Sequence, residues 1–284
     1  ASCDCVFPSV ENRFVSHAGG WHDFTYSYID LIKAREELCQ VLRRDALRVQ
    51  PDQIVMMTEK DLLYCIENST WGAALQGYCK DSLALFHTAS EVNSVLVSFG
   101  DKTPPSSLPY FVKSRALRKD AFIPGAVPSR GLLWPMNVNR HFGMLRDVNS
   151  LDSDWSQKIP RLVWRGSDTG GGLRAQLVEH FFDAPKAEVD IALTGLPDRE
   201  RQHLQDFVRP KMNASELLKN KYLLSLQGND VSSGLKWMLL SKSVVFMPIP
   251  THESWALEGH LKPYVHFIPV AEDLSDLYGQ IRWA

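Results

Sequence analysis

A glycine-rich turn is the most chemically suggestive stretch of this chain. Residues 164–182 read WRGSDTGGGLRAQLVEHFF. An apolar run leads into three consecutive glycines, and Leu173, Leu177, Val178 and Phe181 then follow at helical spacing. A glycine turn feeding a helix start presents free backbone N–H groups and a favourable dipole to a phosphate, and Arg165 and Arg174 bracket it. The spacing matches neither G-x-G-x-x-G nor G-x-x-x-x-G-K-[ST]. The turn is therefore either a diphosphate cradle outside both standard fingerprints or a surface loop.

Asp101 is the candidate for proton transfer. It follows the apolar run at residues 95–97 and Gly100, and an acidic residue just past the carboxyl end of a strand points into the crevice of an open α/β sheet. Asp beside Gly and Pro is also ordinary turn chemistry. A second loop, residues 228–233, leads to a helix start at Ser232-Ser233 with Lys236 behind it, and His252 and Glu253 sit at the end of the next strand, where they either contact the donor or cap a helix. Lys113, Arg115, Arg130, Arg140 and His141 place positive charge on a Pro- and Ser-rich stretch, which suits an anionic ligand or simply a solvated surface. Asp152-Ser-Asp154 has the D-x-D form by which paired carboxylates hold a divalent cation on a diphosphate; the same residues fit a polar linker.

The elements that position these groups alternate. Residues 221–270 give strand, loop, helix, strand, a short amphipathic segment opened by Thr251 and containing Trp255 and Leu257, and a third strand at 265–270; a last helix carries Leu274, Leu277 and Ile281. Strands alternating with helices in this way predict βαβ units and a parallel sheet, with ligands outside the carboxyl ends of the strands. Helices are expected from Tyr26 through Leu42, at 60–67 and at 82–89, strands at 92–99 and 161–164, and short apolar pieces at 110–112, 121–123 and 131–135. Residues 184–215 show only charge and prolines. A polar stretch at 149–158 marks a boundary between residues 1–155 and 156–284.

Composition narrows the function classes. The 31 basic and 33 acidic residues leave a formal charge of −2 over 284 residues, so the polycationic footprint of sequence-independent nucleic-acid binding is missing. No apolar run approaches the roughly 20 residues that span a bilayer, and ASCDCVFPSV at the start lacks a basic stretch before an apolar one, so neither a membrane segment nor a signal peptide is expected in it. Five cysteines, Cys3, Cys5, Cys39, Cys65 and Cys79, do not make a disulfide scaffold but are compatible with one or two bridges. A lone C-x-C is a weak zinc signal, so no metal is expected there.

Asp101 after its strand, WRGS with Arg174, and KYLLSLQG…LKW…VVF…LKPYVHFIPV, in that order, resemble glycosyltransferase family 90, the family of protein O-glucosyl- and O-xylosyltransferases and capsule-associated sugar transferases. The resemblance implies an α/β, GT-B-like fold of two Rossmann-like domains with parallel sheets facing across a cleft. It implies inverting, metal-independent transfer of a sugar, glucose or xylose, from a UDP-sugar to a hydroxyl of a glycan or protein, and no cofactor. The resemblance implies that the first domain lies on the acceptor side and that the second binds the donor; Lys113, Arg115, Arg140 and His141, by their charge, are then candidates for the acceptor or the cleft. Asp101 matches the catalytic base, and Ser167 and Arg174 around the glycine loop and Ser232 with its neighbours after Gly228 match donor-contacting positions; the reading of the loops themselves adds Arg165, Gly166, Gly228, Ser233, Lys236 and Glu253 as donor candidates. One departure stands out: where the protein O-glucosyltransferases carry arginine in S-F-R-F-K, this chain has Gly234, and a point-charge lysine does not replace a bidentate guanidinium.

Overall fold

The structure is a computed structural model and describes residues 53–68, 73–88, 92–104, 106, 108–117, 131–196 and 199–284. The helix expected from Tyr26, together with Cys3, Cys5, Cys39, Arg130 and the apolar piece at 121–123, lies outside the described residues. The chain divides into two compact units, residues 1–138 with 252–257 and residues 139–251 with 258–284.

In the first unit the described elements are β1 (Ile54–Met57), α1 (Glu59–Asn68), α2 (Ala73–Ser82), α3 (Ala84–Thr88), β2 (Val95–Ser98), β3 (Phe111–Val112), β4 (Ser114–Ala116) and β5 (Leu132–Leu133). The sheet runs β1-β2-β3-β5; the first pair is antiparallel and the other two are parallel. Thr58 starts α1 by trading hydrogen bonds with Asp61, whose carboxylate accepts from the Thr58 N–H at 2.8 Å, a capping arrangement that satisfies otherwise orphaned donors. A disulfide joins Cys65 of α1 to Cys79 of α2, 14 residues apart, and closing a loop of that length stabilises by about 3 kcal/mol on the chain-entropy account. Around it Val55, Met57, Leu62, Val97 and Phe99 form the core. The helix expected at 82–89 is α3, and a further helix precedes it. The earlier one, α2, was hidden because Gly77 interrupts the apolar spacing of Leu75, Tyr78 and Cys79.

The second unit begins within α4 (Val138–Phe142) and continues with α5 (Val148–Leu151), β6 (Ile159–Ser167), α6 (Leu173–Phe181), β7 (Val189–Gly195), α7 (Ala214–Leu217), β8 (Asn220–Leu224), α8 (Leu235–Leu240) and β9 (Val244–Met247). β10 (His252–Ser254) returns to the first unit, and β11 (Ile268–Pro269) and α9 (Leu277–Trp283) complete the second. Its five strands lie in the order β11-β9-β8-β6-β7, every neighbouring pair parallel. This is the expected parallel α/β sheet. Leu162, Trp164, Leu224 and Phe246 from its central strands meet Leu177, Val178 and Phe181 of α6 and Leu274 and Leu277 at the chain end in one core, as a sheet covered by helices requires.

Three expectations change. Residues 184–215 are not uninformative, because β7 lies within them; its apolar alternation of Val189, Ile191 and Leu193 carries Asp190, a charge that looks wrong for a strand until Arg165 of β6 pairs with it at 2.9 Å. Thr251 opens a strand rather than an amphipathic helix: β10 pairs antiparallel with β4. The strand expected at 265–270 shrinks to β11, because Tyr264, in the left-handed region at φ 58, and Val265 form a turn before it, with the Tyr264 N–H donating to the Phe267 carbonyl. Asn213, in an N-x-S triplet, is the N-cap of α7 in a full capping box with Glu216.

Candidate functional site

The loops after β6 and β8 meet at the carboxyl ends of two neighbouring parallel strands. Between Gly166 and Ser167 the register of β6 against β7 shifts, a bulge of the kind that re-aims a strand end. Gly166 is demanded by packing: a Cβ there would stand 2.6 Å from the Trp164 ring. Gly170, at φ +74, sits so close to the second loop that a Cβ would fall 2.2 Å from the Gly228 carbonyl oxygen, and its N–H donates to Asn229 Oδ1 at 3.1 Å. Gly172, at φ +91, caps α6.

Arg174, in the first turn of α6, binds both loops. One terminal nitrogen donates to the Ser167 carbonyl and to Thr169 Oγ1, each at 2.8 Å, and the other to the Leu226 carbonyl at 2.8 Å. Its carbon head lies 5.8 Å from the Trp164 ring centroid, and its buried Nε has no acceptor among the described residues. Burial holds its pKa below the usual arginine range, Asp168 pulling the other way and the like charge of Arg140 adding to the depression. Asp168, buried in the loop itself, takes Arg201 on both oxygens at 3.0 and 3.2 Å.

The other basic candidates near these loops are already engaged. Arg165 donates to the Asp190 carboxylate and to the Trp164 and Asp190 carbonyls. Lys236, buried in α8, lies 2.7 Å from the equally buried Glu258. Ser232 and Ser233 precede α8, whose Leu235 N–H reaches the Ser232 carbonyl at 3.3 Å. At Gly234 a Cβ would meet Met238 Cε at 3.0 Å and Trp237 Nε1 at 3.3 Å, a tight fit against two side chains of α8. Arg140 is exposed on α4, and His141 beside it is buried.

In the first unit the chain leaves β2 through Gly100, at φ 134, and presents Asp101 with its side chain 36% exposed, held by Lys113 at 2.5 Å. Lys113 is itself buried under the Tyr78 ring, 5.7 Å from its centroid. Arg115 and Glu253, expected in different roles, form one buried pair across β4 and β10, Nε to Oε1 at 3.0 Å, with a further bond from Arg115 to the Gly131 carbonyl at 2.9 Å.

Asp152 and Asp154 do not stand together as a free carboxylate pair. Asp152 is buried against Lys158 and also accepts from the Lys242 N–H at 2.6 Å, and the exposed Asp154 accepts from Lys242 Nζ at 2.6 Å. Among the described residues no cluster of three or more His, Cys, Asp or Glu side chains converges as metal ligands would, and no helix is long and apolar enough to cross a membrane. Sequence reasoning missed Asp168, Thr169, Asn229 and Arg201. The first three sit inside the two loops it had singled out, whereas nothing local marks Arg201, 33 residues beyond its partner.

Glycines pressed against a neighbouring backbone and strand-end loops joined through a buried arginine define an α/β protein whose two loops meet at the strand ends of its parallel sheet. Residues 133–284, just over half of the chain, match Glycosyl transferase family 90, and the chain belongs to that family. It is 34% identical over 183 residues to the O-glucosyltransferase LpsA of Dichelobacter nodosus, covering 64% of this chain and 52% of that protein. Against protein O-glucosyltransferase 2 of Danio rerio the identity is 33% over 134 residues, 46% of this chain and 26% of the relative; against protein O-glucosyltransferase 3 of Homo sapiens it is 25% over 171 residues, 56% and 33%. The chain thus spans about half the length of the bacterial relative and less of the animal ones.

Proposed function

We propose that this chain is a GT-B-like glycosyltransferase that moves a sugar, glucose or xylose, from a uridine diphosphate donor to a hydroxyl of a glycan or protein, by inverting single displacement without a metal. Family membership and the O-glucosyltransferase relatives support the reaction class. The single observation that carries the donor assignment is the junction of Gly170 with Gly228 under Arg174: backbone brought this close, beside a buried guanidinium with an unused Nε–H, suits the oxygens of a diphosphate.

In the reaction the acceptor oxygen attacks the anomeric carbon as the bond from that carbon to the diphosphate oxygen breaks. Asp101 takes the acceptor's proton, and Lys113 fixes the carboxylate that receives it. Negative charge grows on the leaving diphosphate, where Arg174 and the loop amides stabilise it, prepaid by the fold rather than organised during the step. Arg165 and Lys236 frame the donor loops, each through its own ion pair, and the Arg115–Glu253 pair holds β4 to β10 in the first unit.

The test is Asp101→Asn, assayed with UDP-glucose or UDP-xylose and a hydroxyl acceptor. Transfer should fall by at least about a hundredfold, the usual contribution of a positioned base, with donor affinity retained. Transfer near the wild-type rate would remove Asp101 from the base role. A wild-type chain that binds the donor but never turns it over would instead be a binding protein that keeps the fold.

A further inference from the structure

We propose that Arg201 is a positioning residue for the donor site: by holding both oxygens of Asp168, it keeps that carboxylate from cancelling the charge of Arg174. This rests on the donor reading above and names the residue that keeps the two loops cationic.

Asp168 is an unexpected neighbour for a phosphate. It lies inside the glycine loop between Ser167 and Thr169, whose carbonyl and Oγ1 both accept from Arg174 Nη1 at 2.8 Å. Its side chain is 1% exposed, so water does little to screen the carboxylate. Its charge reaches Arg174, opposing the pKa depression that burial imposes there. Left alone, a buried carboxylate would repel a diphosphate and neutralise the guanidinium that bridges the two loops.

Arg201 removes that conflict. Its Nη1 donates to Asp168 Oδ2 at 3.0 Å and to Oδ1 at 3.2 Å, so the acid is matched by a cation from outside the loop. Arg165 and Lys236 have carboxylate partners of their own, Asp190 and Glu258, which leaves neither for Asp168. Arg174 gives its terminal nitrogens to two carbonyls and a hydroxyl, and its charge stays available.

The fold fixes the pair. Arg201 stands at the kink of the helical segment Arg199–Phe207, at φ −97 and ψ 34, and Leu204 of that segment is fully buried in the core of the parallel sheet. Just beyond it the Arg209 N–H donates to the Leu193 carbonyl of β7 at 2.8 Å, and the Asp168 N–H donates to the Gly195 carbonyl at the end of the same strand at 3.0 Å. Loop and segment thus hang from one strand end, which sets the acid opposite its partner.

Titration calorimetry with UDP, UMP and uridine at fixed ionic strength, on the wild type, Arg201→Ala, Asp168→Asn and the double variant, tests the assignment, with melting temperatures measured alongside. Arg201→Ala should weaken UDP about ten- to a hundredfold, the scale of one uncompensated charge in a partly buried site, UMP less, and uridine by no more than about twofold. Asp168→Asn keeps the shape of the side chain and removes its charge, so UDP should bind about three- to tenfold more tightly. In the double variant no acid remains to mask Arg174, and UDP affinity should return to within about threefold of wild type. An equal loss for uridine and UDP in Arg201→Ala, or a double variant as weak as Arg201→Ala, would overturn the inference and leave the donor reading standing. Should Arg201→Ala fail to fold, Asp168→Asn decides: UDP binding no tighter than in the wild type would overturn the inference equally. A wild-type chain that fails to bind UDP would overturn both.

Discussion

The three glycines at 170–172 should respond to alanine in a graded way that only the loop junction explains. At Gly170 the added Cβ lies 2.2 Å from the Gly228 carbonyl oxygen and 3.0 Å from its Cα, in a backbone at φ +74. The left-handed conformation costs an alanine about 1–2 kcal/mol. The contact must open by about 1 Å, and because the obstacle is backbone, no rotamer change relieves it. Displacement of that size in a binding frame costs about a hundredfold in function, so Gly170→Ala should lose about that factor in UDP affinity and lower the melting temperature by a few degrees. At Gly172 the Cβ meets nothing within 4 Å, although φ is +91; strain alone predicts a loss of about 1 kcal/mol of stability with a smaller effect on binding. At Gly171 there is open space and no positive φ, and alanine should be neutral within about 0.5 kcal/mol. The assay is thermal unfolding together with calorimetric titration of UDP on the three variants. If Gly170→Ala bound UDP as Gly171→Ala does, the meeting of the two loops would not be what shapes the site.

Two further substitutions separate frame from chemistry. Glu253→Ala strands Arg115, whose side chain is fully buried, and should cost about 3–5 kcal/mol in urea unfolding; a loss under about 1 kcal/mol would mean that the pair is not the clasp between β4 and β10. Asp152→Ala likewise strands the buried Lys158 and should be strongly destabilising, while Asp154→Ala, on an exposed pair with Lys242, should shift stability by less than about 1 kcal/mol. With both residues in structural roles, a chelator should leave transfer unchanged. Activity lost to the chelator and restored by manganese, in a stable Asp152→Ala chain that has itself lost transfer, would return the pair to metal binding.

Much of the two-loop region was legible because its signals are local. The glycine triplet, Arg174 four residues after the first of its glycines, and the apolar runs of β6, β8 and β9 lie within short windows, and strand and helix periods show there. The acid after β2 was legible for the same reason. What failed was non-local. β7 was hidden because its alternation of Val189, Ile191 and Leu193 is short and carries the charge of Asp190, whose partner Arg165 lies on another strand. β10 was hidden because Glu253 is paired with Arg115, 138 residues away. Lys236 and Arg140 looked alike as free cations; only the placement of Glu258 engages one and leaves the other exposed.

The sequence by itself determined the class of sheet, the loop at its edge and the family, since these depend on the order and spacing of residue types along the chain. Tertiary structure decided which charges are spent and which glycines cannot be replaced, because burial, ion pairing and backbone contact are made between segments that the chain keeps far apart. Gly234 belongs to both accounts: its identity could be read in the sequence, but how close Trp237 and Met238 come to the place a Cβ would take is set only once α8 has formed.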